Sequence, residues 1–328
     1  MLKVVLESVE ALDIGDTFKY ESISIEAGYR PIGFRFFQSI VNIKAKLRGR
    51  ELIVAGEAST HELAFAKARS ELIERSVLIS APESYRTETS NGWAAHPSFE
   101  YAKLNAIFEL LERDAVLSQW YGSTPFLQVP KSELPKDLQR WLSEELAQSE
   151  YPELDVLIST NGIGPSVSCI LKNKDGFAVS GHATRATLSE SIDSALAEAC
   201  RAAHATLRRE YWSDTLKLKR QEPGLVNPGA HSVYYAYHEP LPNWMVGRAI
   251  GWNQAETLWL RRIAEVSANI DDFNFKTVLD SPLFVGFAKH PFAFDVRWGT
   301  TSENEVLSSS GAKRMRLGSI NTKTHIVA

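Results

Sequence analysis

The sequence writes Glu-x-x-Glu-Arg twice, as "ELIER" at 71–75 and "ELLER" at 109–113, each time inside an apolar, helix-forming run. On a helix, Glu71 and Glu74 project from one face about one turn apart, as do Glu109 and Glu112, and like charges so placed repel mildly. Arg75 and Arg113 follow directly, and a third helix-forming run adds Glu190 and Glu198. Two readings account for the set. Either the carboxylates are solvated and pair with their arginines for a few tenths of a kcal/mol each, or some turn inward. Inward carboxylates are costly without a cation, and a divalent metal removes that cost. The Ala- and Leu-rich surroundings of all three runs favour the second reading. Glutamates with no accompanying His suit a hard, oxygen-preferring ion such as Mg²⁺ better than iron or zinc. Glu-x-x-His occurs nowhere in the chain, which speaks against a carboxylate di-iron bundle.

Periodicity and turn chemistry outline the elements that carry these residues. "FFQSIVNIKAKL" (36–47) and "ELIVAGEAS" (51–59) read as two strands turning at "LRGRE". Ser59 and Glu62 fit a capping box for the first helix, whose apolar stripe is Leu63, Ala66, Ile73 and Val77 and which ends near Pro82. "ESYRTETSNGWAAHPS" (83–98) reads as a loop in which "SNG" favours positive φ. A second helix over about 98–121 has Ala102, Ile107, Leu110, Leu111 and Val116 on its apolar side, which puts Glu109 and Glu112 at the margin of a buried face. A short amphipathic helix at 135–149 precedes three strands, "ELDVLIST", "SVSCILK" and "FAVSGHA".

The third long helix, 188 to about 210, carries a Thr187/Glu190 capping box and a close-packing face of Ala195, Leu196, Ala199, Ala202 and Ala203. Further on, strands are expected at "HSVYYAYH" and "PLFVGFAKH" and a helix at "QAETLWLRRIAEVSANI". The polar C-terminal segment, 301–328, reads as a mobile tail.

Composition excludes several classes. A chain of 328 residues, 44% hydrophobic and 23% charged, can bury a large core, and a net charge of -4 gives no footprint for nucleic acid. Cys169 and Cys200 lack metal or disulfide spacing and are read as reduced and buried. No window approaches the roughly 20 apolar residues of a membrane span, so the expected location is cytoplasmic, with no membrane partner.

The ordered set "SELIER", "SNGWAAHPSFEYAKLNAIFELLERDA" and "GHATRATLSESIDSALAEACRAA" resembles the YcaO-type ATP-dependent enzymes that activate peptide backbone amides, over about residues 50–210. The resemblance implies an α+β (mixed α/β) fold, with sheets packed against three motif-bearing helices in one domain spanning 1–328. It also implies a nucleotide site without a Walker loop, and the chain contains no Gly-x-x-x-x-Gly-Lys-Ser/Thr. The implied cofactors are ATP and Mg²⁺. Carried over by position, Glu71, Glu74, Glu109, Glu112 and Glu198 become Mg²⁺ ligands, and Arg75, Ser90, Asn91 and Arg113 become ATP contacts. Arg201 and Arg297 join them as phosphate-facing arginines.

The implied reaction is attack by a Cys, Ser or Thr of a ribosomally made precursor peptide on the preceding carbonyl. Phosphorylation of the resulting oxyanion and loss of phosphate then give a thiazoline or oxazoline. Relatives make thioamides or amidines. The implied partners are the precursor peptide, a separate leader-peptide-binding protein and a flavin dehydrogenase in the same complex, with the chain as a dimer or hetero-oligomer.

Three departures stand out. Arg201 occupies the place of a common Gln, Glu57 lies near the place of a Lys, and the chain ends "THIVA" where azoline-forming members often have a proline-rich tail. They keep open a catalytically degenerate scaffold as the alternative, beside a Mg-dependent phosphohydrolase. Of the remaining residues, Asp114 is expected to pair with an arginine, His182 to make a polar loop contact and Cys200 to pack. Trp93 and Phe99 are core anchors or ligand contacts.

Overall fold

A computed structural model of the chain describes residues 4–5, 18–29, 39–80, 91–208, 212–220, 231, 233–280, 283–297, 301–315 and 320–326. In chain order the first half comprises β1 (Val4–Val5), β2 (Ser22–Tyr29), β3 (Ser39–Leu47), β4 (Arg50–Ala58), α1 (His61–Ser80), β5 (Trp93–His96), α2 (Phe99–Tyr121), β6 (Phe126–Val129) and α3 (Lys136–Glu144). Next come β7 (Glu153–Ser159), β8 (Ser166–Lys172), β9 (Ala178–Ala183), α4 (Leu188–Arg208), α5 (Trp212–Lys219), α6 (Tyr234–Tyr237) and β10 (Val246–Ala249). The chain finishes with α7 (Trp252–Ala268), β11 (Asn274–Leu279), β12 (Phe284–Lys289), α8 (Glu303–Ser308) and α9 (Ser310–Met315). The mixed α/β class and the three motif helices agree with the sequence reading. No helix among the described residues is long and apolar enough to cross a membrane.

Contacts divide the chain into two compact units, Met1–Ile107 with Phe273–Lys289 and Phe108–Asp272 with His290–Ala328. The first unit holds an antiparallel sheet in the order β1-β2-β3-β4 and a second sheet in the order β11-β12-β5. Alternation along β3 buries Val41, Ile43, Ala45 and Leu47 and exposes Lys44 and Lys46, as one covered face requires. α1 packs there through Ala64, Ala68, Leu72, Ile73 and Val77. Leu63 and Ala66, expected in the apolar stripe, are exposed. The cause is Gly56: a Cβ there would lie 1.8 Å from the Ala64 carbonyl oxygen, so backbone meets backbone and only the Ala64/Ala68 edge of the helix fits. The helix start also shifts by one residue, because Thr60, not Ser59, accepts from the Leu63 amide at 3.3 Å.

"WAAH", read as loop, is β5. Its pairing with β12, from Trp93 opposite Phe287 to His96 opposite Phe284, joins segments too distant for local patterning to reveal. Gly92 just before it takes φ +73°, the positive value expected of "SNG".

The second unit holds a five-stranded sheet in the order β10-β6-β7-β8-β9, with β10 parallel to β6 and the other pairs antiparallel. β9 is buried throughout and β8 up to its last residue, so both faces are covered. α4 packs against β8 and β9. Val116, Trp120, Phe126, Leu157, Ile170, Tyr235, Phe294 and Ile326 form a core cluster of this unit. α4 opens with the expected capping box, Thr187 Oγ1 accepting from the Glu190 amide and Glu190 Oε2 from the Thr187 amide, both at 3.2 Å.

Two expectations fail in this unit. "HSVYYAYH" contains the short helix α6 in place of a strand, because Tyr234 and Tyr235 are both drawn into the core and the Tyr235 hydroxyl donates to the Thr324 carbonyl at 2.6 Å. Packing overrides their β propensity. Nor do the described residues of 301–326 form a loose tail. Ser302 caps α8 in a full capping box, and the Trp120 indole N–H donates to the Lys323 carbonyl at 3.1 Å. His325 and Ile326 are buried.

Candidate functional site

The second half of α2 carries Ile107, Leu110, Leu111 and Val116 into the core, and this fixes its polar residues by rotation. Glu112 falls on the buried side with only 6% of its surface exposed, while Glu109 and Arg113 are half-buried. Burial pushes the Glu112 carboxyl up to about 8. Arg113 pulls it back, Glu198 and Glu109 push it further up, and Arg185 pulls it down. Glu112 Oε1 stands 3.4 Å from Arg113 Nε. Burial works against the Arg113 charge, but Glu112, Glu198 and Glu109 outweigh it and hold the guanidinium above the ordinary arginine value. Glu109, Glu112, Arg113, Arg185, Glu198 and Arg201 therefore act on one another within a single unit. They come from two helices and the β9–α4 connection.

Glu198 is fixed by the strand beneath it. The His182 amide donates to Glu198 Oε2 at 2.7 Å, and Arg201 Nη2 lies 3.4 Å from Oε1. His182 is not a loop contact but an interior residue of β9, 3% exposed. Burial lowers its imidazole to about 4, with Arg113 acting in the same direction and Glu198 and the Ile326 carbonyl opposing. The neutral ring has one N–H. The Ile326 carbonyl, 2.9 Å from Nε2, can only accept, so the proton sits on Nε2, and Nδ1 accepts from the Ser168 hydroxyl at 2.9 Å. The ring thereby ties β8, β9 and the C-terminal segment together behind Glu198.

A His depressed from 6.5 contributes stability that is complete above pH 6.5 and is lost as pH falls through about 4. The full span is worth at most about 3 kcal/mol. Urea unfolding between pH 7 and 4 should give a pH slope shallower by about one proton for His182→Gln than for the natural protein. Equal slopes would show that His182 is not the buried neutral group described.

The donors suit Mg²⁺. Among the described residues no three His, Cys, Asp or Glu side chains are grouped closely enough to hold a metal alone. Mg²⁺ does not require that, since it is commonly held by one or two carboxylates with water and substrate phosphates completing its shell. Glu112 is a carboxyl whose charge the fold penalises, and Glu198 and Glu109 add to the penalty. A bound dication would offset the penalty on the Glu112 charge, and Arg113, Arg185 and Arg201 are cations of the same cluster, a residue type suited to phosphate oxygens. Arg185, in "GHATRAT", was not among the residues singled out from sequence, because a lone arginine before a helix cap carries no signal until its neighbours are known.

The other expected site residues lie as follows. In the first unit Arg75 Nη2 donates to Glu71 Oε1 at 2.5 Å, and the pair lies along the outer edge of β4. Glu71 Oε2 is 3.4 Å from the Ala55 amide, and Arg75 Nη1 is 3.4 Å from the Ile53 carbonyl. Glu74 and Asn91 are half-buried in the same unit, and Ser90 lies outside the described residues. In the second unit Arg297 pairs with Glu305 at 3.6 Å. Asp114 pairs with Arg314 as expected, both carboxylate oxygens at 3.1 Å, and also accepts from the amides of Ile163 and Phe294. Cys169 and Cys200 are buried thiols that form no disulfide. Trp93 is a core anchor of the first unit, 5.0 Å from Phe287 between ring centres, while Phe99 is partly exposed and meets Phe275 and Phe284 edge-on.

A family model described as YcaO cyclodehydratase, ATP- and Mg²⁺-binding, matches residues 77–246, just over half of the chain. No curated protein sequence matches. Among solved structures, YcaO from Methanopyrus kandleri bound with AMPPCP and Mg²⁺ is similar at 15% identity and TM-score 0.52, over 81% of this chain and 86% of that one. A chain of the E. coli microcin synthetase McbBCD complex with pro-MccB17 bound is similar at 10% identity and TM-score 0.51, over 83% of this chain and 88% of that one. At such identities the likeness is one of fold.

Proposed function

The chain belongs to the YcaO family, and from that membership we propose that it closes Cys, Ser or Thr residues of a ribosomally made precursor peptide into thiazolines or oxazolines by activating the preceding backbone amide. Its family is ATP- and Mg²⁺-binding, so ATP and Mg²⁺ are its cofactors and it is an ATP-dependent enzyme. The observation that carries the proposal is the Glu112 carboxyl, buried with 6% of its surface exposed and 3.4 Å from the Arg113 guanidinium, with Glu109, Glu198 and Arg185 also acting on it. A site of alternating carboxylate and guanidinium is suited to positioning and charge neutralisation, which is most of phosphoryl-transfer catalysis.

When bound, ATP with Mg²⁺ supplies the phosphoryl group that turns the amide oxygen into a leaving group. In this reading Glu109, Glu112 and Glu198 hold the metal, with Glu71 and Glu74 added on motif order alone. Arg113, Arg185 and Arg201 orient phosphate oxygens, and Arg75, Ser90, Asn91 and Arg297 remain nucleotide contacts by motif. The protein's own groups need supply no covalent nucleophile, because the peptide side chain is one. A separate leader-binding protein and a dehydrogenase partner belong to the same proposal.

Arg201, aimed at Glu198 where the family commonly has Gln, favours a second reading, a scaffold that keeps the fold and binds partners without turnover. Calorimetric titration with ATP separates the two. Binding heat with Mg²⁺ present and a much weaker signal without it are expected. Absence of both heat and thermal shift at millimolar nucleotide would establish the scaffold.

A further inference from the structure

The five-stranded sheet ends at β10, and no described strand pairs with its outer edge. Beside this edge an open groove of about 460 Å³ runs between the sheet and the first turns of α7. Leu127, Ile250 and Leu258 give it an apolar floor, Thr257 a hydroxyl, and Arg248 and Arg261 its charge. Arg248 and Ile250 are two apart in the chain, and Leu127 comes from the neighbouring strand β6. Val246 in β10 is 39% exposed, and most of this short strand lies open to solvent.

Charge identifies the occupant. The chain as a whole is acidic, at -4, yet among the described residues the ionisable ones lining the groove are Arg248 and Arg261. Arg261 has only a long contact with the exposed Glu265, at 3.8 Å, and pairs of this kind contribute little. Both arginines therefore remain available to a carboxylate. Among the described residues no aromatic ring lines the groove, so nucleobases find no stacking platform there.

We propose that this groove docks an extended, carboxylate-bearing segment of a polypeptide partner, which adds as a further strand along β10. Main-chain hydrogen bonds to the strand edge supply affinity, and alternate side chains supply specificity. A segment matching the length of β10 turns every second side chain towards α7. That places an aliphatic side chain on Leu127, Ile250 and Leu258 and a carboxylate against Arg248 or Arg261. The proposal does not rest on the ATP chemistry.

The test uses the full chain and a fluorescein-labelled peptide of sequence Asp-Ser-Val-Ser-Asp-Ser-Val, whose Asp and Val share one face of the strand, followed by anisotropy. Binding on the order of 100 µM is expected for so small a surface, weakening with added salt. The Arg248→Ser/Arg261→Ser double variant should bind at least about tenfold more weakly, one decade corresponding to a single lost charge contact. Thr257→Trp, which fills the groove without touching its charge, should weaken binding similarly. The same peptide with Lys in place of Asp, and an oligothymidylate, should not bind. Absence of binding, equal binding of the Lys peptide, displacement by oligothymidylate, or natural-level binding by the double variant would each overturn the proposal. AMPPCP titration of the double variant, expected to be unchanged, keeps this outcome separate from that of the nucleotide site.

Discussion

Replacing Glu112 by Gln should lower ATP-dependent turnover at least about a hundredfold, since a metal-bound charge contributes several kcal/mol to the transition state and each 1.36 kcal/mol is a factor of ten. The same change should leave the melting temperature level or raise it. The stability result follows from the penalty that burial places on a charged Glu112. A Gln amide has nearly the same shape, makes comparable contacts and carries no charge to bury. Arg113 loses one partner but keeps the influence of Glu109 and Glu198.

The pH dependence distinguishes this from ordinary damage. A carboxyl raised from 4.5 to about 8 contributes stability that is complete below 4.5 and is lost as pH rises through 8. Without metal, the natural protein should therefore weaken from pH 5 to 8.5, and Glu112→Gln should remove that decline. Mg²⁺ should stabilise the natural protein more at pH 8 than at pH 5.5, and the variant little at either. Full turnover in the variant would end the metal assignment. A collapse in melting temperature would show instead that Glu112 is a structural partner of Arg113.

The two carboxylates of "ELLER" show how far the sequence could be read. Five apolar positions on α2 were enough to place Glu109 and Glu112 beside the buried face, because helical rotation follows from the core positions alone. Which of the two goes inside depends on what covers the helix, and the charge that acts on the buried one includes Glu198, 86 positions further along and aligned by a strand hydrogen bond. His182 and Arg185 were misjudged or passed over for the same reason. Their roles come from Ser168, Ile326 and Glu112, which no local window contains. The C-terminal segment was misread because its composition is polar, whereas its attachment is through backbone carbonyls of Lys323, Thr324 and Ile326, which composition does not record.

The two units share a construction that the repeated glutamate motif does not mark. In each, three antiparallel strands run into a helix that lies back on the last of them, β2-β3-β4-α1 in one and β7-β8-β9-α4 in the other. In each, a glycine on the last strand admits the helix, Gly56 beneath Ala64 and Ala68, and Gly181 beneath Ala195 and Ala199. In each, a helix glutamate then reaches an amide next to that glycine, Glu71 to Ala55 and Glu198 to His182. Close approach is what lets so short a side chain reach the strand backbone. Spacing between helix and strand is therefore also placement of the carboxylate.

Gly181→Ala tests that link, and its effect should be large. The added Cβ would fall 2.1 Å from the Ala195 carbonyl oxygen, 2.3 Å from the Ala199 nitrogen and 2.8 Å from Glu198 Cβ. Two of these atoms are backbone, so no rotamer relieves the clash and α4 must lift from β9. Overpacking of this kind costs about 3 kcal/mol or more, or about 10 °C in melting temperature for a unit of this size. Gly49→Ala provides the contrast. Gly49 sits at φ +74° with nothing within 4 Å, so only backbone strain of about 1 kcal/mol is expected there. At a temperature where circular dichroism shows Gly181→Ala still folded, its affinity for AMPPCP with Mg²⁺ should fall at least about tenfold, because lifting α4 withdraws Glu198 from the His182 amide and from the cluster around Glu112. Natural stability in Gly181→Ala would contradict the close approach. A destabilised variant that still binds nucleotide normally would remove Glu198 from the site and leave Gly181 a packing residue.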